Sequence, residues 1–293
     1  AGAREGIPLQ PDIERIGRAL AEADALLITS PDYYGNFPPL AEAAALCKAA
    51  NKPLLIDGAH GAHLHFLPEY AGNYADIWVD GLHKSLPALT QGAAVSAKTR
   101  AFSEALAASV RMFRTTSPSY PVLASCEYAI KYPRNEKIER AAQAFKREHG
   151  AVANADWSKL LFAFGEYAQA AQDYLEAHGV YPEFQDGNYL MFYLSPCTSL
   201  RELKKLARLL KRLPRGTVKE EERRGETAAQ TELIPLELSE GRICAAECGL
   251  FPPCIPLLTK GSVITKSKLV RLSRAAHTFG LVCGKIEVYT DTL

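Results

Sequence analysis

Four short apolar runs, each stopped by a polar or turn-forming residue, constrain this chain more than any other feature. Ala25-Leu-Leu-Ile-Thr29 stops at Ser30-Pro31, and Lys52-Pro-Leu-Leu-Ile56 stops at Asp57. Tyr74-Ala-Asp-Ile-Trp-Val79 stops at Asp80-Gly81, and Gly92-Ala-Ala-Val-Ser96 is the fourth. Between and after them, residues 38–50 and 99–110 carry apolar positions at helical spacing. Runs this short, alternating with helices, predict an α/β unit: a mostly parallel sheet with helices over both faces. Ligands of such sheets bind beyond the carboxyl ends of the strands. Those ends carry Ser30, Asp57 and the loop Gly81-Leu-His-Lys84.

The second half changes character. Residues 117–132 and 136–149 read as helices separated by Pro133, with Gly150 closing the second. A strand at 160–164, a helix ending at His178-Gly179, strands near 180–184 and 189–194, and a helix at 200–213 follow. Ser199-x-x-Glu202 is a capping box for that last helix, and Pro214 stops it. The expected division is a large domain over residues 1–150 and a smaller α+β domain over 151–293. Residues 214–232, rich in Lys, Glu and Arg, read as a polar loop. The helix at 11–23 runs straight into the first apolar run, which reads as the middle of an α/β domain. Upstream residues are expected to belong to the complete protein.

Charge narrows the range of partners. Thirty-four Lys and Arg against 33 Asp and Glu leave a net charge of +1. That balance makes no electrostatic case for nucleic acid or an acidic membrane. No apolar run is long enough to span a bilayer. Seven cysteines, an odd number scattered along the chain, do not form a disulfide framework, and a reducing cytoplasm is the expected location.

The densest polar cluster is Asp57-Gly-Ala-His60-Gly-Ala-His63-Leu-His65, with His83-Lys84 downstream. A metal site from Asp57, His60, His63 and His65 is one reading. Loop histidines with no chemical role are a second. A third joins Asp57 and Lys84. Pyridoxal phosphate (PLP) needs a lysine for its Schiff base and an anion beside its pyridine nitrogen. Each of these two residues follows a separate apolar run. Cys244, Cys248 and Cys254 admit a zinc reading, but their spacing favours incidental thiols.

Six blocks bear on these readings. Ser30-Pro-Asp-Tyr-Tyr-Gly35, Asp57-Gly-Ala-His-Gly-Ala-His63, His83-Lys-Ser-Leu-Pro-Ala-Leu-Thr-Gln91, Thr116-Ser-Pro-Ser-Tyr120 and Gly241-Arg-Ile-Cys-Ala-Ala-Glu247, followed by Phe251-Pro-Pro-Cys-Ile-Pro256, lie in this order along the chain. Together they closely resemble the Orn/Lys/Arg decarboxylase family, in its shorter, arginine-decarboxylase-like branch. The resemblance implies the PLP-dependent transferase-like fold (fold type I), with the beginning of its large domain lacking. It implies decarboxylation of arginine, lysine or ornithine to a polyamine precursor, with a homodimer or higher homo-oligomer as the working form. It implies Lys84 as the Schiff-base lysine, with His83 beside it near the phosphate as a proton donor. Asp57 would pair with the pyridine nitrogen, and Ala59 and His60 would line the ring. Ser117 would lie near the phosphate, and Glu247 would face the distal cation of the substrate. Gly81 stands where the family usually has serine, so restoring that serine is expected to add one hydrogen bond to the phosphate. The family's main phosphate-binding loop lies upstream and has no counterpart before Ser30. Alternatives of another kind are a non-catalytic or truncated relative acting only by association, or another fold-type I enzyme such as an aminotransferase.

Overall fold

The structure is a computed structural model and describes residues 3–4, 7–8, 10–218, 230–251, 255–275 and 277–290. Two short strands, β1 (Ala3–Arg4) and β2 (Ile7–Pro8), pair antiparallel. Helix α1 (Ile13–Ala19) starts at Asp12, whose carboxylate accepts the Glu14 and Arg15 amides that would otherwise be orphaned. Next come β3 (Leu26–Thr29), α2 (Leu40–Ala49), β4 (Leu54–Gly58), β5 (Ile77–Asp80), the single turn α3 (Leu82–Ser85) and β6 (Ala94–Ala97). The sheet runs β3-β4-β5-β6, parallel except for β6, which pairs antiparallel with β5.

Strand alternation decides which side chains enter the core. Ile28, Leu54 and Ile56 point to the face where Leu20, Leu40, Cys47, Ala71 and Ala75 pack against them. The opposite face carries Leu55 and Asp57, both half-buried, and Leu27, which is 70% exposed. The expected cover on both faces is therefore not met among the described residues, because α1 and α2 lie on the same side. Asp57 stands on the open side.

Helices α4 (Arg100–Phe113), α5 (Tyr120–Ile130) and α6 (Glu136–Glu148) follow. The sequence reading began the second of these at Ser117. It begins three residues later because Pro118 interrupts the run and Pro121 suits a first helical turn. The second sheet is antiparallel, in the order β7-β9-β8: β7 (Lys159–Ala163), then after α7 (Ala168–Ala177), β8 (Phe184–Gln185) and β9 (Tyr189–Tyr193). Helix α8 (Leu200–Leu210) starts with both hydrogen bonds of the expected capping box in place. Ile138, Ala142 and Phe145 of α6 share one core with Leu160, Phe162, Leu190 and Leu206. Thus α6 lies before the expected boundary at residue 150 but packs with the second sheet.

The remaining described residues enclose a core of their own, formed by Leu236, Cys244, Cys248, Leu258 and Ile286 among others. β10 (Thr231–Pro235) pairs with β14 (Lys285–Tyr289). β11 (Cys248–Leu250) pairs with both β12 (Ile255–Leu258) and β13 (Thr278–Phe279), and α9 (Lys266–Arg274) packs on them. Thr231 and Glu232, read as loop, thus belong to a strand. Residues 219–229 of that polar loop lie outside the described residues, as does Cys254. The six described cysteines are free thiols. Among the described residues no helix is long and apolar enough to cross a membrane.

Two contacts weld the first sheet to the second. The Asp32–Asn36 turn offers the Gly35 carbonyl to the Ala155 and Asp156 amides at 3.0 and 2.9 Å. Gly35 has φ +86°, and a Cβ there would press on Lys159 Cγ at 2.7 Å, so the motif needs glycine for both conformation and space. The second contact is wholly buried: His63 Nε2 donates to Asp156 Oδ1 at 2.9 Å. The same oxygen accepts the Ser158 amide and hydroxyl at 2.9 and 2.8 Å. Breaking a buried pair from one side strands the other group. Asp156→Ala should therefore cost roughly 3–5 kcal/mol, read as a lower urea midpoint. A loss below about 1 kcal/mol, within the range of exposed pairs, would remove this contact from its place in the fold.

Candidate active site

Two adjacent strand ends deliver the candidate residues. At the end of β4, Asp57 Oδ1 accepts the Ala59 amide at 3.0 Å, and the chain turns through His60 into a short 3-10 turn, Ala62–Leu64. β5 ends beside it, with Gly58 opposite Asp80, and α3 then carries His83 and Lys84. Lys84 Nζ lies 3.2 Å from His60 Nε2. His83 is tethered twice to Gly92: its Nδ1 stands 2.9 Å from that carbonyl, and its amide donates to the same oxygen at 3.1 Å.

Aromatic rings wall in His60. Tyr33 and Tyr193 meet it edge-on, with centroids 5.0 and 5.7 Å away. The Tyr193 hydroxyl donates to the Tyr33 carbonyl at 3.1 Å, and the Tyr33 hydroxyl donates to Glu183 at 3.2 Å. On the face of Tyr193 sits Lys159, the first residue of β7, its Nζ 3.3 Å from the ring centroid. Lys159 is only 1% exposed, and among the described residues its ammonium makes no ion pair. A desolvated cation–π contact of this kind contributes about 2 kcal/mol.

Burial and charge set the protonation states. Burial, reinforced by Lys159 and Lys84, holds His60 down to about 3, so its imidazole is neutral near pH 7. With Lys84 as donor, Nε2 is the acceptor and Nδ1 carries the hydrogen, buried and without a partner. Burial pulls Lys159 down to about 8 against the opposing carboxylates of Asp156 and Glu183, which leaves it mostly charged at neutral pH. Burial also works to raise Asp156, but His63 and Lys159 outweigh it and keep that carboxyl well below the usual range.

Asp57, Ala59, His60, His83 and Lys84 are thus gathered at one edge of the sheet. The other two candidates are not. Ser117 is exposed between α4 and α5, its amide bonded to Thr115 Oγ1 at 3.1 Å, and no hydrogen bond joins it to Lys84 or Asp57. Glu247 is exposed just before β11, with no hydrogen bond or ion pair to the Lys84 cluster. The four residues of the metal reading disperse: His63 turns to Asp156, His65 Nδ1 to the Ala62 carbonyl at 2.9 Å, and His60 to Lys84. Among the described residues no group of three or more His, Cys, Asp or Glu is placed to hold a metal. Sequence reasoning missed Tyr33, Tyr193, Asp156 and Lys159. The available signal was a lysine opening a run of otherwise apolar residues, Lys159-Leu-Leu-Phe-Ala163.

Gly81 requires a correction. A Cβ there would be driven into the Ala59 carbonyl oxygen, so the backbone excludes the family's serine in this arrangement. The glycine lets the α3 turn lie against the Asp57–His60 turn.

The geometry suits the ring end of PLP. A carboxylate with one oxygen tied to its own turn and a primary amine sit on adjacent strand ends, with small residues between them. The Orn/Lys/Arg decarboxylase major-domain model matches residues 6–152, and the chain belongs to that family. It is 28% identical over 317 residues to arginine decarboxylase of Halalkalibacterium halodurans, covering 92% of this chain and 64% of that one. The structure is similar to Escherichia coli constitutive lysine decarboxylase, with a TM-score of 0.60 at 17% identity over 94% of this chain and 60% of that one. It is also similar to Sphingomonas wittichii serine palmitoyltransferase, with a TM-score of 0.54 at 18% identity over 68% of this chain and 58% of that one. These likenesses establish the fold as fold type I. The chain spans 63–65% of the length of four curated relatives.

Two outcomes follow. Gly81→Ser should destabilise the protein by about 1–3 kcal/mol, as overpacking does, and should not strengthen phosphate binding. A urea midpoint at or above the parent's would overturn the packing assignment. His60 titrates at about 3, below its ordinary value of 6.5, so its contribution to stability is complete above pH 6.5 and is lost as pH falls toward 3. Between pH 7 and pH 5 this one group should remove roughly 2 kcal/mol. His60→Gln should abolish that portion of the pH dependence, and parallel urea titrations at the two pH values measure it.

Proposed function

We propose that this chain carries the amine and the ring-binding acid of a PLP-dependent decarboxylase acting on a basic amino acid. The observation that carries this reading is the placement of Asp57 and Lys84 at adjacent strand ends, in a chain of the Orn/Lys/Arg decarboxylase family. Bound pyridoxal phosphate supplies an electron sink for loss of the α-carboxylate. Asp57, with one oxygen tied to the Ala59 amide, would pair its other oxygen with the ring nitrogen and favour its protonated form. Lys84 would supply the primary amine that holds the cofactor. His60, neutral, holds that amine by hydrogen bond, and Ala59 would line the ring beside it. His83 donates its Nδ1–H to the Gly92 carbonyl, so Nε2 is the outward nitrogen, which would return a proton to Cα only after first taking one up.

Arginine is the favoured substrate among the three because the curated relatives named for an activity are arginine decarboxylases. The product would then be agmatine, a polyamine precursor. Glu247 is the proposed partner of the distal substrate cation. Ser117 is the proposed phosphate neighbour in a homodimer whose second subunit supplies it. Free thiols and the absence of a charge case for nucleic acid fit a cytoplasmic small-molecule enzyme.

The test is covalent trapping. Purified protein incubated with pyridoxal phosphate and then borohydride should gain one reduced pyridoxyl group on Lys84, located by mass spectrometry. Lys84→Ala should lose the label, and turnover of arginine to agmatine, by at least about 100-fold. Lys84→Arg should fail as well, because a guanidinium stays protonated. Labelling that persists in Lys84→Ala would remove this residue from its assigned place.

A further inference from the structure

Lys159 is a buried cation for which the reading above has no use. Its stem is pressed against Gly35, and its ammonium lies on the face of Tyr193 rather than against a carboxylate. Tyr193 in turn meets His60 edge-on, and His60 faces Lys84. The four side chains come from four separate segments: β7, β9, the turn after β4, and α3. They form one continuous path from a buried charge to the amine at the sheet edge.

We infer that Lys159 is a positioning residue that acts on Lys84 through His60: its charge, held behind the Tyr193 ring, keeps His60 in the form whose Nε2 accepts the Lys84 amine. The inference deepens the proposed function and rests on it only for the statement that Lys84 is the reacting amine.

The surroundings of His60 support this direction. From α3 it faces Lys84, from β7 and its approach Lys159 and Asp156, from its own turn His63, and from β9 and the Asp32–Asn36 turn Tyr193 and Tyr33. Both aromatic hydroxyls are pushed well above their ordinary range, first by burial, and stay neutral. The nearby anion, Asp156, has its Oδ1 engaged by His63 and Ser158, and it is the one group of this set that favours a protonated His60. Lys159 is therefore the charge that opposes protonation of His60 from the interior, while Lys84 opposes it from the open side. A protonated His60 would have no lone pair for Lys84 and would repel it. Among the described residues the Nδ1 hydrogen has no acceptor, so the tautomer rests on Lys84 at Nε2 rather than on a second hydrogen bond.

The experiment reads His60 directly and needs no cofactor. Protein labelled with ¹⁵N-histidine is titrated from pH 8 to pH 4 by long-range proton–nitrogen NMR, with His60 assigned from His60→Gln. The parent should show the Nδ1–H tautomer throughout. Lys84→Met should move the Nε2 resonance to that of an unbonded nitrogen. Lys159→Met should raise the His60 protonation midpoint by about one pH unit or more, and Lys159→Arg should restore the parent's behaviour. If Lys159→Met does not fold, Lys159→Gln replaces it. An Nε2–H tautomer in the parent, or a His60 midpoint unmoved by loss of the Lys159 charge in a folded variant, overturns the inference. If borohydride fails to label Lys84 while the NMR results hold, the cofactor assignment falls and the positioning path stands.

Discussion

The buried contact between His63 and Asp156 is the constraint on which the rest of the arrangement depends. It joins the turn after β4, which carries Asp57 and His60, to the approach to β7, which carries Lys159. Both partners are withdrawn from water, so neither can relax into solvent if the other moves. Ser158 satisfies the same carboxylate oxygen twice, and the Gly35 carbonyl fixes the Asp156 amide. Three hydrogen bonds on one carboxylate oxygen and a fourth on the backbone amide make Asp156 a rigid post. The residues on either side of it inherit their positions from that post, and so does the distance between the two sheets at the site.

Around this post the charges are unequal in a way that matters for chemistry. Two lysines, Lys84 and Lys159, bracket one neutral histidine, and neither makes an ion pair among the described residues. Lys159 is stabilised by an aromatic face and by more distant carboxylates, which is enough to keep it mostly charged but not enough to neutralise its field. Lys146, which burial likewise pulls down to about 8, is anchored by Asn154 and the Asp156 carbonyl on the outer side of the same segment. The interior side of the candidate site is thus positive, while its open edge presents the Asp57 carboxylate.

Gly81 illustrates how a family position changes meaning with its packing. Considered as a sequence difference, it is a hydroxyl lost from a phosphate site. In the structure it is a place where two backbones meet, the Ala59 carbonyl against the first residue of the α3 approach. Close approach of the two turns brings Lys84 Nζ within hydrogen-bond distance of His60. The glycine therefore serves the close approach of the two turns.

Much of this protein was legible from its residues alone. Apolar runs ending at Ser30, Asp57 and Asp80-Gly81 set the parallel strands and their order of polar ends, because period-two burial and helix spacing are local properties of a chain. The capping box at Ser199 and Glu202 and the helix ending before Gly150 were legible for the same reason. Blocks such as His83-Lys-Ser-Leu-Pro pointed to the family and to the amine. Tertiary structure alone decided the antiparallel direction of β6, the open face under Leu27 and Asp57, and the packing of α6 with the second sheet. It alone brought Lys159, Asp156 and Tyr193 to His60, across separations of about a hundred residues or more. A buried lysine and an exposed one have the same letter. What separates them is the company of distant segments, and that company is settled only when the two sheets close on each other.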